Sequence, residues 1–337
     1  MTAPARPFLD RAGVIALGGA EFSAAIRDTR DALALLRAGE AEMPAETSVA
    51  LGDSRASGRA YALPAGLGGR FQAAGVKWTA HRPEIGDGLP AIVSHTIVHD
   101  RRTGLLRGIV ESALLTAMRT AAVSALSLEC LSPAPLRTVS ILGAGFQART
   151  HLHMLAALRP ELDKVILWNR TGSRAKALSA LDWPFKVEIA SSPEAAARSD
   201  AVLLCTAAKA PILDAAALSP GRLIVQVGHH EVSYDAIDRA DHVVVDLWGE
   251  FRLTSAKSLF QMHRAGRFPQ SRLSCVLADA VAGAWRPRPG SLVYMSSFGL
   301  NVLDIALAAR LMERAETVGA YASPPRSHDD RTTWPWM

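Results

Sequence analysis

The sequence predicts an α/β fold in which a Rossmann-type, doubly wound parallel sheet is joined to a mixed α+β domain. Two patterns lead to this prediction. Between residues 138 and 246, short apolar runs alternate with segments of helical periodicity, which is typical of a parallel sheet covered by helices. Between residues 47 and 98, the apolar runs are split by glycine and proline, which indicates a mostly antiparallel sheet.

The N-terminal part of the chain forms the predicted mixed domain. A short strand is followed by a helix over residues 21–37, and Gly39 lies just beyond its end, where helices commonly stop. A long helix rich in alanine and leucine covers residues 111–131 and ends before a proline pair. Between these two helices we predict strands at 61–64, 75–79 and 91–98, and a turn at 100–104 that leads into another strand.

The rest of the chain forms the predicted parallel sheet. Its elements are expected in the order strand 138–142, helix 147–158, strand 164–169, helix 172–181, and strands 201–206, 223–227 and 242–246. A final amphipathic helix covers residues 297–314. We therefore predict a Rossmann domain over residues 121–299. A second domain over residues 1–120 is completed by a C-terminal helix within residues 300–337.

The composition argues against several classes of protein. Of the 337 residues, 49% are hydrophobic and 20% are charged, as in ordinary globular proteins. No apolar run reaches the ~18 residues of a membrane span, and the first residues lack the layout of a signal peptide. We therefore expect a cytoplasmic protein that does not bind a membrane. The net charge of +5 comes from scattered arginines without a basic block, which argues against nucleic-acid binding.

The cysteines and histidines predict neither a disulfide framework nor a metal site. The three cysteines are far apart and form no C-x-x-C pair. His151 and His153 are two residues apart on a predicted helix, so their side chains point to different faces. We therefore expect no bound metal.

The strongest local signal is at residues 139–148, which read Val-Ser-Ile-Leu-Gly-Ala-Gly-Phe-Gln-Ala. This is a buried strand, a glycine turn and the start of a helix. Gly143 suits the tight turn, and Gly145 lets the backbone approach a pyrophosphate. Phe146 and Gln147 begin the helix whose N-terminal N–H groups would face that pyrophosphate. In its strand and helix context, the segment predicts a dinucleotide cofactor.

The end of the next predicted strand indicates which dinucleotide binds. An acidic residue about 20 residues after the glycine turn normally accepts hydrogen bonds from the ribose hydroxyls. This chain has Asn169, Arg170 and Thr171 there, followed by Arg174. No carboxylate repels a 2′-phosphate, and two guanidinium groups and a hydroxyl group can bind one. We therefore expect NADP(H) in preference to NAD(H). The alternative is that the arginines only solvate the start of a helix.

Several separated segments together resemble the ornithine cyclodeaminase/mu-crystallin family over roughly residues 40–315. They are Gly75-Val76-Lys77, Met118-Arg119-Thr120-Ala121-Ala122, the glycine turn at 143–148, and Ser297-Phe298-Gly299-Leu300-Asn301-Val302-Leu303-Asp304. Four smaller features resemble the branch that makes 2,3-diaminopropionate for siderophores and peptide antibiotics: Leu67-Gly68-Gly69, Lys77-Trp78, Gly88-Leu89-Pro90 and Phe298-Gly299-Leu300. Members of that branch oxidise N-(2-amino-2-carboxyethyl)-glutamate at its secondary amine, and the resulting imine is hydrolysed.

The resemblance implies roles for individual residues. Lys77 corresponds to the family's substrate-contacting lysine. Arg119 corresponds to an arginine that bridges cofactor phosphate and substrate, and Thr120 follows it in the cofactor-binding motif. Ser297, at the start of the predicted final helix, matches the residue that binds the nicotinamide carboxamide; a plain helix N-cap is the alternative. Thr206, at the end of a predicted strand, is expected near the cofactor.

Two positions depart from the family pattern. Where cyclodeaminases have a catalytic aspartate, this chain has His230, which can act as an acid or base near neutral pH. Glu231 can orient or replace it, and a solvated loop histidine is the alternative. Where the family often has a carboxylate-binding arginine, this chain has Glu46. Arg70, beside a glycine turn, is a candidate substitute; an exposed turn arginine is the alternative.

Together, these residues predict an NAD(P)-dependent oxidoreductase that acts on the C–N bond of an amino acid or N-substituted amino acid through an imine. The catalytic candidates are Lys77, His230 and Glu231, and the substrate-binding candidates are Arg70, Lys77 and Arg119. The resemblance also implies a homodimer. The alternatives are an imine or ketimine reductase that runs in the opposite direction, a cyclodeaminase with recycled NAD, and a non-catalytic NADPH-binding protein similar to mu-crystallin.

Overall fold

The computed structural model describes residues 8–52, 58–82 and 90–319. Within these ranges the chain forms two β-sheets that are covered and connected by helices. Gly88 and Leu89, from one of the family-like features, lie outside the described residues, and so does the last part of the predicted C-terminal region, residues 320–337.

The first sheet is formed by the N-terminal part of the chain. Its seven strands are β1 (Phe8–Leu9), β2 (Ala41–Glu42), β3 (Thr47–Ala50), β4 (Arg59–Leu67), β5 (Ala73–His81), β6 (Ile92–Asp100) and β7 (Leu106–Glu111). Strands β4 to β7 are successive antiparallel neighbours, β2 and β3 both pair with β4, and β1 joins β7 in parallel. The predicted mixed and mostly antiparallel sheet is confirmed.

The second sheet has eight strands, and all of its pairs are parallel. They are β8 (Thr138–Leu142), β9 (Lys164–Trp168), β10 (Lys186–Ile189), β11 (Ala201–Leu204), β12 (Leu223–Gln226), β13 (His242–Val245), β14 (Leu273–Val276) and β15 (Val293–Ser296). The strand order is β10-β9-β8-β11-β12-β15-β13-β14. The chain winds outwards from β8 in both directions, so the doubly wound, Rossmann-type sheet is confirmed and its topological switch point lies beside β8.

The helices surround both sheets. They are α1 (Arg11–Ala16), α2 (Phe22–Ala38), α3 (Ala113–Leu131), α4 (Phe146–Leu158), α5 (Gly172–Ser179), α6 (Pro193–Ala196), α7 (Tyr234–Arg239), α8 (Ser258–Arg264), α9 (Leu277–Val281) and α10 (Asn301–Thr317). As expected, α2 ends at Gly39, which has a left-handed conformation with a φ of 74°.

Helices α3 and α10 connect the two halves of the molecule. α10 packs on β4, β5 and β6 and against α2 and α3, while α3 packs on α4 and β12. Position 120/121, where the two domains are predicted to meet, lies inside α3; the division itself stays a prediction. Among the described residues, α3 is the one helix long and apolar enough to cross a membrane, and 78% of its apolar window is buried, as expected of a core helix.

The end of the chain differs from its predicted form. The sequence places a helix from residue 297, but residues 293–296 form β15, which lies between β12 and β13, and α10 begins only at Asn301. Gly299 has a φ of +97°, which a helix does not allow. Two further strands, β10 and β14, were not predicted; each has only four residues.

Candidate active site

The glycine turn lies between the carboxyl end of β8 and the start of α4. Gly143 has a φ of +122°, and a Cβ there would lie 2.4 Å from the carbonyl oxygen of Cys205, so glycine is required. Gly145, the N-cap of α4, faces open space. Phe146 is exposed, and the side-chain oxygen of Gln147 is buried without a hydrogen-bond partner among the described residues. This open backbone at a helix N-terminus fits the pyrophosphate of a dinucleotide.

The residues expected to read the ribose lie beside this turn. The N–H of Gly143 donates to the carbonyl oxygen of Trp168 at the end of β9 (2.7 Å), so the two strand ends are adjacent. Asn169 follows directly, and its amide nitrogen donates to the carbonyl oxygen of Thr171 (2.9 Å). Arg170 and Arg174 are exposed, as is Thr171, and neither arginine forms an ion pair with a described residue. Both guanidinium groups are therefore accessible at this edge.

A buried ion cluster lies between β5, α3 and α10. The Nζ atom of Lys77 donates to Oδ2 of Asp304 (2.8 Å). The Nε atom of Arg119 lies 3.5 Å from Oδ1 of the same carboxylate, and Thr116 Oγ1 donates to that oxygen (3.2 Å). The side chains of Lys77 and Asp304 are 4% and 0% exposed. Two cations thus share a single buried carboxylate.

The charges of this cluster determine its pKa values. Burial tends to raise the pKa of Asp304, but the cations Lys77 and Arg119 outweigh it and hold the pKa of the carboxyl below its usual value. Burial lowers the pKa of Lys77, and the Asp304 carboxylate counteracts part of this shift. With both cations protonated, the cluster has one positive charge in excess, which an anionic ligand can neutralise.

Gly299 connects this cluster to the carboxyl end of the second sheet. A Cβ there would lie 2.6 Å from Nη1 of Arg119, so glycine allows the guanidinium group to approach the backbone. The N–H of Gly299 donates to Oδ2 of Asp246 (2.8 Å), which also accepts from Ser297 Oγ (3.3 Å). Ser297 therefore belongs to the loop between β15 and α10. The interpretation that it could cap the final helix is wrong, because Leu300 occupies that position.

Thr206 and Glu231 form a buried pair at the same edge. The backbone N–H and the Oγ1 of Thr206, which follows β11, both donate to Oε1 of Glu231 at 2.7 Å. Glu231 is fully buried, and its Oε2 has no hydrogen-bond partner among the described residues. Burial raises the pKa of this carboxyl to about 7. A Cβ on Gly228 would lie 2.5 Å from Cδ of Glu231, so this placement requires glycine there.

Lys257 is a buried cation at the carboxyl end of the second sheet. It was not among the predicted site residues. Its Nζ donates to the carbonyl oxygens of Val227 and Gly228, both at 2.6 Å. Burial lowers the pKa of Lys257 to about 8, and the carboxylates of Glu231 and Asp246 oppose this shift. The ammonium group thus fixes the end of β12 close to both carboxyl groups.

The two histidines after β12 have different surroundings. The Nδ1 atom of His230 lies 3.2 Å from Ser258 Oγ of α8. Burial and the charge of Lys257 lower the pKa of His229 to about 4. Burial and the charge of Lys77 also lower the pKa of His81. His230 therefore contacts the helices of the second sheet, with its ring also 6.4 Å from that of Tyr234 in α7.

Arg70 is not brought to this site. It lies in the turn between β4 and β5, where its guanidinium group binds Asp28 and Asp31 of α2, both at 2.7 Å, and lies 4.1 Å from the ring centroid of Phe71. Its Nε and Nη2 atoms are thus paired with carboxylates. Arg70 therefore attaches this turn to α2, and the expectation that it receives the substrate carboxylate has to be corrected.

His151 and His153 also lie apart from the site. The ring of His151 is buried and bonds to Ser124 Oγ and to the carbonyl oxygen of Gln147, both at 2.8 Å. His153 packs against Trp183. In the part of the chain that the structure describes, no group of three or more histidine, cysteine or acidic residues could bind a metal ion.

Three buried charged residues of the site were missing from the sequence-based candidates: Asp304, Asp246 and Lys257. A signal for two of them exists in the sequence. Asp246 follows three valines at the end of a strand, and Asp304 lies among apolar residues of a helix. A charge in such a segment has to be paired when it is buried. Lys257 lies in an irregular segment and gives no such signal.

The chain is similar to known proteins over most of its length. The sequence profile of the ornithine cyclodeaminase/mu-crystallin family matches residues 18–319. The chain is 23% identical over 268 residues to the N-((2S)-2-amino-2-carboxyethyl)-L-glutamate dehydrogenase of Staphylococcus aureus, covering 77% of this chain and 79% of that protein. It is 30% identical over 231 residues to a Delta(1)-pyrroline-2-carboxylate reductase of Bacillus cereus, covering 65% of this chain and 70% of that protein.

Solved structures show the same fold. The Delta(1)-pyrroline-2-carboxylate reductase of Thermococcus litoralis, in complex with NADH and L-proline, has a TM-score of 0.84 at 23% identity and covers 94% of this chain and 99% of its own. An archaeal alanine dehydrogenase dimer with bound NAD has a TM-score of 0.80 at 21% identity, covering 94% and 97%. Because the profile matches most of the chain, the protein belongs to the ornithine cyclodeaminase/mu-crystallin family, whose members include NAD(P)-dependent amino acid dehydrogenases and imine reductases.

Proposed function

We propose that the protein is an NAD(P)-dependent oxidoreductase that acts on the C–N bond of an amino acid or an imino acid. The main supporting observation is the ion cluster of Lys77, Arg119 and Asp304, in which two buried cations share one carboxylate. The excess positive charge suits the α-carboxylate of a substrate. Through Gly299, the cluster contacts the carboxyl ends of the parallel strands. A substrate carboxylate bound to the cluster therefore lies beside the expected position of the cofactor.

The residues of the chain have distinct tasks in such a reaction. A bound nicotinamide supplies the hydride acceptor or donor. Lys77 and Arg119 hold the substrate carboxylate and so orient the carbon that loses or receives the hydride. The charge of Lys77 also stabilises the electrons that gather on the nitrogen when an imine is reduced. Asp304 keeps Lys77 in place.

Proton transfer at the nitrogen requires a side chain beside the substrate that can donate and accept a proton. We assign this task to Lys77, whose pKa burial lowers, with Glu231 as a second candidate because its pKa is raised to about 7. His230, a candidate from the sequence, lies 3.2 Å from Ser258 Oγ. The pKa of the neighbouring His229, about 4, is too low for a proton donor near neutral pH. Thr206 positions Glu231 through two hydrogen bonds.

We further propose that the cofactor is NADP(H) in preference to NAD(H). The support is chemical: the residues at the end of β9 are Asn169, Arg170 and Thr171, followed by Arg174, and an acidic residue is absent from this stretch. The two guanidinium groups are exposed beside the glycine turn. They can bind a 2′-phosphate in the bidentate geometry that arginine favours.

We also propose a homodimer formed through the outer face of the first sheet. Phe8, Trp78 and Val93 are 51%, 42% and 39% exposed on this face, opposite to the face of Lys77. An exposed apolar sheet face of this kind is typical of a self-complementary interface. The structurally similar archaeal alanine dehydrogenase is described as a dimer.

The test is a screen of amino acids with NAD⁺ and NADP⁺ and of 2-oxo acids with amines and NADH or NADPH, followed by mass spectrometry. It includes proline, alanine, ornithine and N-(2-amino-2-carboxyethyl)-glutamate. We expect turnover with one of these, and at least a ~1,000-fold loss in Lys77→Met, since both orientation and charge are lost. The control variant is Lys186→Met, which replaces an exposed lysine of β10 in the same way.

Cofactor titration separates binding from chemistry. Lys77→Met should bind the cofactor like the wild type, because the glycine turn is unchanged. Full activity in Lys77→Met would reject the role of Lys77. Tight cofactor binding without turnover of any compound in the screen would reject the oxidoreductase and favour a non-catalytic NADPH-binding protein. Product formation without net cofactor consumption would favour a cyclodeaminase.

A further inference from the structure

A chain of buried polar side chains leads from the second sheet to His230. The hydroxyl of Tyr294 in β15 donates to Oε1 of Gln226, the last residue of β12. Nε2 of Gln226 donates to Oγ of Ser258 (3.1 Å), the first residue of α8, and this Oγ lies 3.2 Å from Nδ1 of His230. Tyr294, Gln226 and Ser258 are all buried. Burying three polar side chains is costly unless each is hydrogen-bonded, and here each one is.

The orientation of the Gln226 amide is determined by the carbonyl oxygen of His229. This oxygen accepts hydrogen bonds from Nε2 of Gln226 (2.8 Å) and from the backbone N–H of Ser258 (2.9 Å). Because a carbonyl oxygen only accepts, the amide nitrogen has to face it, and Oε1 has to face Tyr294. Both hydrogens of the amide nitrogen are therefore donated, one to His229 and one to Ser258. The same bonds attach the backbone of His229 to the start of α8.

These bonds determine which nitrogen of His230 carries the proton. The hydroxyl of Ser258 has one hydrogen, and its oxygen already accepts from Gln226. Among the described residues, Nδ1 of His230 is the one acceptor within reach of that hydrogen. Nδ1 therefore accepts, and the neutral imidazole carries its proton on Nε2. Nε2 forms no hydrogen bond with a residue of the described ranges, so its N–H remains available to donate.

Three other histidines have the opposite arrangement. In His242, Nε2 accepts from the backbone N–H of Arg288 (3.3 Å), so the proton of the neutral ring lies on Nδ1. In His151 and His263, Nδ1 bonds to a carbonyl oxygen at 2.8 Å and therefore carries the proton. The available Nε2–H of His230 is thus a property of its own hydrogen-bond network.

We propose that His230 donates a hydrogen bond from Nε2 to an oxygen atom of the bound ligand, with Ser258 and Gln226 as positioning residues. The half-buried ring follows β12, which lies two strands from β8. Ligands of open parallel sheets bind outside the carboxyl ends of such strands. The acceptor is the carboxamide oxygen of the nicotinamide or an oxygen of the substrate. The inference rests on the proposed function, because that function supplies both ligands.

The same arrangement excludes His230 as the general base. A neutral ring has one lone pair that can accept a proton, and in His230 this lone pair, on Nδ1, already accepts from the buried Ser258. His230 therefore contributes as a donor, although its position matches the catalytic aspartate of cyclodeaminases. Proton transfer is left to Lys77 or Glu231.

NMR of ¹⁵N-labelled histidine rings tests the tautomer at a pH at which the imidazoles are neutral. The signals of His230 are identified by their loss in His230→Gln. We expect a proton on Nε2 of His230 and on Nδ1 of His242. Ser258→Ala should give a mixture of tautomers at His230. The matched control is Ser274→Ala, which removes a hydroxyl 3.5 Å from Nδ1 of His242 and should leave His230 unchanged.

Two results of this measurement would overturn the inference. One is a proton on Nδ1 of His230 in the wild-type protein, and the other is a His230 tautomer that Ser258→Ala leaves unaltered. Neither result depends on turnover, so the failure of the inference and the failure of the proposed function are distinguishable.

Binding measurements test the donor and identify its acceptor. His230→Leu removes both ring nitrogens, whereas His230→Gln places an amide N–H near the position of Nε2. If the acceptor is the carboxamide, NADPH should bind His230→Leu about 10-fold more weakly, and 2′-phospho-ADP-ribose, which lacks the nicotinamide, should bind as to the wild type. If it is a substrate oxygen, the same loss should appear for proline, ornithine or N-(2-amino-2-carboxyethyl)-glutamate titrated into the cofactor-loaded protein.

In either case His230→Gln should recover most of the affinity. Wild-type affinity of His230→Leu for every one of these compounds would overturn the inference. An equal loss for 2′-phospho-ADP-ribose, or equal losses in His230→Leu and His230→Gln, would also overturn it, because the effect would then not follow the N–H donor.

Discussion

The charge of Asp304 can be removed with little change of shape. Asp304→Asn leaves Lys77 and Arg119 buried without a counter-charge. Solvent screens this pair little, because the side chains of Lys77 and Asp304 are 4% and 0% exposed and their atoms are 2.8 Å apart. Removing one partner of a buried ion pair costs about 3–5 kcal/mol in unfolding free energy. The asparagine oxygen can still accept a hydrogen bond, so we expect about 3 kcal/mol.

Urea denaturation measures this loss. The dependence of unfolding free energy on urea is about 1–3 kcal/mol per molar and increases with the size of the protein. For a chain of 337 residues we use the upper value. A loss of about 3 kcal/mol then lowers the midpoint by about 1 M. Activity should also fall, because the pKa of Lys77 decreases further without the Asp304 charge and the lysine loses its proton at a lower pH.

A double-variant cycle and a control separate the pair from general damage. Lys77→Met combined with Asp304→Asn should lose less stability than the sum of the single losses, because the two residues interact directly. Asp279→Asn is the control; its partner Arg37 is 48% exposed, and such surface pairs contribute at most about 1 kcal/mol. An unchanged midpoint in Asp304→Asn, or strict additivity in the double variant, would refute this account of the cluster.

Three further predictions concern the cofactor edge. Gly143→Ala should lower the melting temperature and abolish cofactor binding, since its Cβ would lie 2.4 Å from a carbonyl oxygen. Gly145→Ala should melt like the wild type and bind the cofactor about 10-fold more weakly. Equal melting temperatures of the two variants would contradict this. Replacing Arg170 and Arg174 by alanine should weaken NADP(H) binding about 10- to 100-fold and leave NAD(H) binding nearly unchanged, as titrations can show; a wild type that prefers NAD(H) would contradict it. Because burial raises the pKa of Glu231 from 4.5 to about 7, the folded state binds the proton more tightly, and the unfolding free energy should fall by about 3 kcal/mol as the pH rises through this interval. Glu231→Gln should remove this slope, and an identical pH profile would contradict the assignment.

The cofactor edge could be predicted from the sequence because its determinants are local. The strand, the glycine turn and the start of α4 are contiguous, and the structure places β8 at Thr138–Leu142, as expected. Asn169 and the following arginines lie beside the turn because β8 and β9 are neighbours in a parallel sheet. In such a fold, alternation of strands and helices already determines which strand ends meet.

The ion pairs could not be predicted in the same way. Lys77 and Asp304 are 227 residues apart, and nothing in the segment around either residue indicates the other. Arg70 was predicted to bind the substrate because its sequence neighbours do not show its partner Asp28, which is 42 residues away. The misplacement of Ser297 has another cause. The helical pattern of residues 301–314 was extended back to Ser297, but β15 ends at Ser296 and the positive φ of Gly299 keeps residues 297–300 out of the helix.

The loop and helix start at residues 297–304 explain how the two halves of the site are kept in register. Ser297 and Gly299 bond to Asp246 at the end of β13, and Asp304 binds Lys77 of the first sheet. This short segment therefore fixes the distance between Lys77 and the carboxyl end of the second sheet, where the cofactor is expected. A change in the length of this segment, or in the φ of Gly299, would move the cluster of Lys77, Arg119 and Asp304 away from Asp246. The substrate and the cofactor should consequently lose affinity together when this segment is altered.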